Sequence, residues 1–215
     1  MKNGCSTSLE RSLRSLVHKT LDVFLRGCVG VLVAFILCTQ VYSNDALTEA
    51  EQAGRAFSLV YDREDWKHWS DFDGNCINTR HEILKAQAIN FRLSPDGCFV
   101  SVGLWNDPFS GKQYTRPSDL DVDHVVPLFW AHSHGGANWS RAAKELFAND
   151  RLNLLAVDDG LNQAKGASSP GQWMPPNKQF HCNYLVIWHR VLAKYPDLKM
   201  TDDEARDFNG LASDC

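Results

Sequence analysis

Apolar positions return at helical spacing in several stretches of the chain, and their polar flanks say where those helices start. "DALTEAEQAGRAFSLV" reads as a helix with Asp45 as its cap. "TRHEILKAQAINF" reads as another, with Thr79 as cap and Glu82 three positions later, the capping-box spacing. "SRAAKELFAND" follows Ser140, "KQFHCNYLVIWHRVLAKY" runs to Pro196, and "TDDEARDFNGLAS" opens on Thr201. Strand-like runs lie between them. "CFVSVGLW", the turn "NDPFSGK" and "QYT" predict a hairpin; residues 120–125 and the apolar run "RLNLLAV" (151–157) predict two further strands. "DDGLNQAKG" opens a short helix directly after the second of these. Residues 61–78, aromatic and acidic, and the proline-rich "SSPGQWMPPN" read as ordered loops. The expected fold class is α+β: a helix-rich single domain whose few strands gather around residues 120–157.

The first 43 residues break this pattern. Arg11, Arg14, Lys19 and Arg26 precede the apolar run Cys28–Cys38, and Val41 and Ser43 then offer the short residues of a cleavage site before Asn44. Basic, apolar, then small is the order of a secretory signal peptide. The run is too short for a membrane span, which needs about 20 apolar residues. The reading is a signal peptide over 1–43 with a mature domain over 44–215, and an uncleaved anchor as the alternative. A secreted or periplasmic protein with no stable span after processing follows.

Cysteine usage agrees. Removing the leader leaves Cys76, Cys98, Cys182 and Cys215, an even number in an oxidising compartment. Three pairings exist, and local order favours Cys76–Cys98 with Cys182–Cys215. Zinc ranks below this, because no C-x-x-C pair is present.

Charge restricts the partners. The chain has 22 Lys and Arg against 26 Asp and Glu. The leader holds 5 of the basic and 2 of the acidic residues, so the mature part carries 17 against 24, a net of −7. That sign excludes a protein that coats nucleic acid by overall charge. A nucleic-acid substrate would have to be held by a local patch and a metal.

One stretch, "DLDVDHVVPLFWAHSHGG", sets carboxylates and an imidazole among apolar side chains. With Asn153 inside the next apolar run, and Asn162 and Lys165 on the helix after it, the polar groups follow a strand–loop–strand–helix order. Phosphodiester hydrolysis needs such a set. His124 is a base able to take a proton from water near neutral pH. Asp123 and Asn162 supply oxygens for one hard divalent cation, Mg²⁺ first and Mn²⁺ second. An amide does not titrate, so Asn153 is expected to hydrogen-bond backbone across the loop. Asp121 shares the strand face of Asp123 and is a second candidate ligand. Since Asp123 and His124 point to opposite faces of a regular strand, the strand should end or distort there. His132 and His134, flanked by glycine, read as solvated.

"DVDHVVPL", "LNLLAV" and "NQAKG" together resemble the HNH, or His-Me finger, endonuclease motif. Further segments, "YDRE", "DGNCINTRHEIL", "DPFSG", "FANDRLNLLAV" and "KGASSPGQWMPPN", are similar to secreted bacterial HNH nucleases over about Tyr61 to Cys215. The resemblance implies a ββα-metal core over about 119–166 and a metal-dependent endonuclease, acting on DNA first and RNA second, with little sequence preference. It implies His124 as general base and Asp123 and Asn162 as metal ligands. Asn153 matches the central asparagine, and Lys165 the lysine that follows the last ligand. Arg80 and Arg151 are candidate phosphate-binding residues. Two other roles fit an exported chain: a non-catalytic domain binding nucleic acid or envelope partners, and a nuclease toxin paired with an immunity protein.

Overall fold

In a computed structural model of the chain, residues 60–215 are described. The leader, and the helix expected after Asn44, lie outside them. Six α-helices and five strands follow in the order α1 (Thr79–Gln87), β1 (Asn90–Leu93), β2 (Val100–Asn106), β3 (Gln113–Tyr114), β4 (Leu120–His124), α2 (Leu128–Ser133), α3 (Arg141–Ala148), β5 (Leu154–Asp158), α4 (Asp159–Lys165), α5 (His181–Lys194) and α6 (Asp202–Ala212). The mixture of helix and sheet is as expected, and several boundaries move. The "INF" that seemed to continue α1 instead enters β1, because Asn90 pairs with Leu104 across an antiparallel ladder. The α1 cap is Asn78, whose side chain accepts from the His81 amide at 3.2 Å. Thr79 is freed to donate its hydroxyl to the Ser70 carbonyl at 2.7 Å. β5 begins only at Leu154: Asp150 caps a turn of 3₁₀ helix over Arg151–Asn153 and delays the strand. Capping by Ser140 and the capping box of Thr201 and Glu204 are present.

The strands form a three-stranded antiparallel sheet, β1-β2-β3, and a separate two-stranded one, β4-β5. The β4–β5 register is regular through His124, opposite Leu154, and β4 ends there. Pleating sends Leu120, Val122, Leu154 and Ala156 to one face, where they pack with Ile83, Leu84, Val100 and Trp105. Val157, on the opposite face, joins a larger core with Phe147, Tyr184 and Trp188. The hairpin is thus buried on both sides between two apolar clusters. Burying each large side chain contributes about 1.5–3 kcal/mol.

Gln87, the last residue of α1, supports the outer edge of β5 in place of a strand. Its amide donates to the Leu154 carbonyl at 3.0 Å and accepts from the Ala156 amide at 2.8 Å. Two disulfides, Cys76–Cys98 and Cys182–Cys215, have the expected pairing. The first ties the loop before α1 to the β1–β2 turn, and the second ties the start of α5 to the C-terminus. Among the described residues no helix is long and apolar enough to cross a membrane.

The histidines after β4 correct the sequence reading. His132 is buried, with ring contacts to Tyr61 and Trp66. His134 stacks on Trp130 at 3.9 Å and meets the Glu204 carboxylate at 2.9 Å. The segment folds as α2 and turns both rings inward against α6 and the aromatic core, which the flanking glycines did not reveal.

Candidate functional site

A cavity of about 400 Å³ opens beside β4, lined by Val122, Asp123, His124 and Asn162 together with Tyr61, Arg63 and Phe129. Three consecutive β4 residues line it although their side chains alternate in direction. β4 ends at His124, where the strand was expected to end or distort.

His124 is held from two directions. Its Nε2 lies 2.7 Å from the Ala148 carbonyl oxygen, which can only accept, so Nε2 carries the proton and donates it. Nδ1 is then the unprotonated nitrogen. The indole of Trp69 stacks on the ring, with centroids 5.6 Å apart and planes 25° apart. Trp69 adopts φ 61°, a left-handed conformation that costs a bulky residue about 1–3 kcal/mol. Burial, with smaller contributions from His68, Arg63 and Lys165, pushes the imidazole pKa down to about 3, and it stays neutral.

The carboxylate of Asp123 stands on the opposite face, under α4. Lys165 Nζ donates to Asp123 Oδ1 and to the His124 carbonyl, each at 2.9 Å. Burial raises the Asp123 carboxyl and the lysine charge offsets part of that rise; burial lowers the Lys165 ammonium. Asp123 Oδ2 is buried without a hydrogen-bond partner. One helical turn before Lys165, Asn162 donates its Nδ2 to Asp121 Oδ2 at 2.9 Å. That bond orients the amide and leaves Oδ1 as its acceptor atom. Burial raises the Asp121 carboxyl, and the neighbouring Asp159 carboxyl adds to the rise.

Local sequence explains why α4 presents these groups. Asp158 caps it by accepting from the Leu161 amide at 2.8 Å. Gly166 ends it at φ 53°, a left-handed conformation suited to glycine. Asn162 and Lys165, three apart, share one helix face. Behind the cavity, Asn153 is fully buried. Its side chain accepts from the Val126 amide at 2.7 Å and donates to the Val126 carbonyl at 3.0 Å. Its own carbonyl accepts from the Val125 amide at 2.9 Å. The turn that ends β4 is therefore closed by one asparagine.

The structure brings Asp123, His124 and Asn162 to one cavity, with Asp121 bonded to Asn162 and with Lys165 and Asn153 buried behind. Neither arginine expected at phosphate lines it. Arg80 donates to the Pro117 and Leu120 carbonyls at 3.1 and 3.0 Å and so anchors the start of β4. Arg151 pairs with Glu82 at 3.1 Å. The cation among the lining residues is instead Arg63. Trp69 and the Ala148 carbonyl, which orient the imidazole, were missed. The "DWKHW" cluster was visible, but nothing in it marks a tryptophan of positive φ.

The donor set suits a hard cation. An oxygen of a buried carboxylate without a partner and a neutral amide oxygen are the ligands that Mg²⁺ takes while keeping several waters. Among the described residues no group of three or more His, Cys, Asp and Glu side chains is arranged to hold a metal.

Residues 62–206 match the family described as GmrSD restriction endonucleases, C-terminal domain. A protein of Arthroderma benhamiae named "Uncharacterized secreted protein" is 38% identical over 158 residues, covering 72% of this chain and 76% of its own length. That relative is fungal, whereas the resemblance in the sequence pointed to bacterial enzymes. No solved structure matches. With every residue of the cavity's polar cluster inside the matched span, the chain belongs to the GmrSD restriction endonuclease C-terminal domain family.

Proposed function

We propose that this protein is a secreted, metal-dependent endonuclease of the HNH type that hydrolyses phosphodiester bonds, with DNA as substrate and little sequence preference. The observation that carries the reading is a neutral imidazole whose Nε2 proton is committed to Ala148, set beside a buried carboxylate oxygen with no partner. His124 Nδ1 accepts a proton from water as the water oxygen bonds to phosphorus. The bond from phosphorus to the leaving sugar oxygen breaks, and that oxygen takes a proton from solvent. A divalent cation, Mg²⁺ before Mn²⁺, held by Asp123 and Asn162 would stabilise the charge on the phosphate and on the leaving oxygen. Lys165 opposes the rise that burial gives the Asp123 carboxyl and fixes the end of β4. Asn153 holds the turn that aims His124. The family match and the resemblance of the β4–β5–α4 order to a ββα-metal core support this reading. The two disulfides and the relative's description as secreted support export.

The test is supercoiled plasmid incubated with residues 44–215, with Mg²⁺ or with EDTA, for wild type, His124→Ala and Asp123→Asn. His124→Ala should lose about 10²–10⁴-fold in rate with the fold intact. Asp123→Asn should need more metal for half-maximal activity. Equal nicking in EDTA, or a folded His124→Ala protein with wild-type activity, would sink the assignment.

A further inference from the structure

The lining of the cavity carries a feature that hydrolysis itself does not use. Phe129 lies in the first turn of α2, between Leu128 and Trp130, each 3% exposed, yet is itself 49% exposed. It lines the cavity together with Tyr61 and Arg63. Tyr61 meets it perpendicularly, with centroids 5.1 Å apart and planes at 88°. A perpendicular contact covers at most one face of a ring, so it fixes the phenyl group without stacking on it. Arg63 lies close enough to Tyr61 to oppose the rise that burial gives the phenol. A half-exposed phenyl ring and a guanidinium therefore line one cavity with His124 and Asp123.

Charge narrows what this lining can take. The chain is net −4, and a closed duplex is gripped without sequence preference mainly by cations spread along its phosphates. Duplex bases, stacked on their neighbours, offer no free face to a side chain at the surface. Unpaired bases do, and stacking on an aromatic side chain tolerates any base.

We propose that Phe129 is a stacking platform for an unpaired nucleobase beside the reacting phosphate, and that Arg63 holds that nucleotide's phosphate. The site then selects single-stranded or locally opened nucleic acid over closed duplex. This rests on the nuclease reading above for the identity of the polymer, and its test is one of binding, separate from cleavage.

The measurement is anisotropy of a fluorescein-labelled 12-nucleotide single strand, and of the blunt duplex of the same sequence, with residues 44–215 in EDTA. A second single strand carries 2-aminopurine, whose emission falls on stacking. Wild type should bind the single strand more tightly and quench the probe. Phe129→Ala should weaken single-strand binding about tenfold and abolish quenching, within the range for loss of one stacked base. Phe129→Leu keeps apolar contact with Tyr61 but has no aromatic face, and should fall equally. Phe129→Trp should retain affinity. Arg63→Ala should weaken single-strand binding and reduce its salt slope by about 0.7. The proposal is overturned if wild type prefers the duplex, if Phe129→Leu binds as wild type, or if the Phe129 variants lose duplex affinity equally, the mark of a wedge between paired bases. Failure of the nuclease reading would appear separately, as cleavage with Mg²⁺ that is absent on both plasmid and the single strand, or insensitive to His124→Ala on both.

Discussion

Lys165→Met tests whether the buried ion pair beneath the cavity carries the charge assigned to it. The lysine side chain is 0% exposed and that of Asp123 is 5% exposed, with 2.9 Å between Nζ and Oδ1. Met keeps most of the volume but removes the ammonium and both of its hydrogen bonds. Asp123 Oδ2 already lacks a hydrogen-bond partner, so the substitution strips the lysine from a carboxylate otherwise poor in partners and takes the donor from the His124 carbonyl. Removing one member of a buried pair costs about 3–5 kcal/mol, and loss of the carbonyl's donor adds to this without adding in full. A loss of about 4 kcal/mol is expected. For a domain of this size that lowers the melting temperature by roughly 8–16 °C. The assay is equilibrium urea unfolding in EDTA, followed by tryptophan fluorescence. The partner experiment is Asp123→Leu with Lys165→Met, which removes both charges. Apolar replacement of a buried pair is commonly neutral or stabilising, so the double variant should be more stable than the single, short of wild type only by the donor that the His124 carbonyl still lacks, about 1–3 kcal/mol. A single variant within about 1 kcal/mol of wild type would refute the reasoning, as would a double variant no more stable than the single.

Asn153→Ala should destabilise by about 2–4 kcal/mol, because the buried Val126 amide and carbonyl each lose their partner; unfolding midpoints check this, and a loss under about 1 kcal/mol contradicts it. Replacing Cys182 and Cys215 together by alanine should cost roughly 2–5 kcal/mol, read as a lower melting temperature under non-reducing conditions, with an unchanged midpoint as the contrary result. Trp69→Ala removes the ring stacked on His124 and should lower kcat more than it raises KM, whereas a change confined to KM would assign Trp69 to substrate contact.

Local chemistry determined much of this protein directly. Helices with a capping residue and a periodic apolar face, such as α3 behind Ser140 and α6 behind Thr201, could be read because cap and stripe lie within a few residues of each other. The disulfide pairing followed from an even cysteine count and short separations. The polar cluster stood out because Asp123, His124, Asn153, Asn162 and Lys165 interrupt elements otherwise apolar. Contacts that join distant segments were not legible. Arg80 looked like a phosphate ligand until the fold delivered two carbonyls to its guanidinium from residues 37 and 40 positions away. His132 and His134 looked solvated until α6 and the aromatic core closed over them. β1 was hidden in a helical pattern, because a four-residue strand is decided by the partner it pairs with and not by its own side chains. The proton on His124 was decided the same way. Any histidine in that sequence could carry it on either nitrogen, and only the Ala148 carbonyl, 24 residues along the chain and 2.7 Å away, assigns it to Nε2.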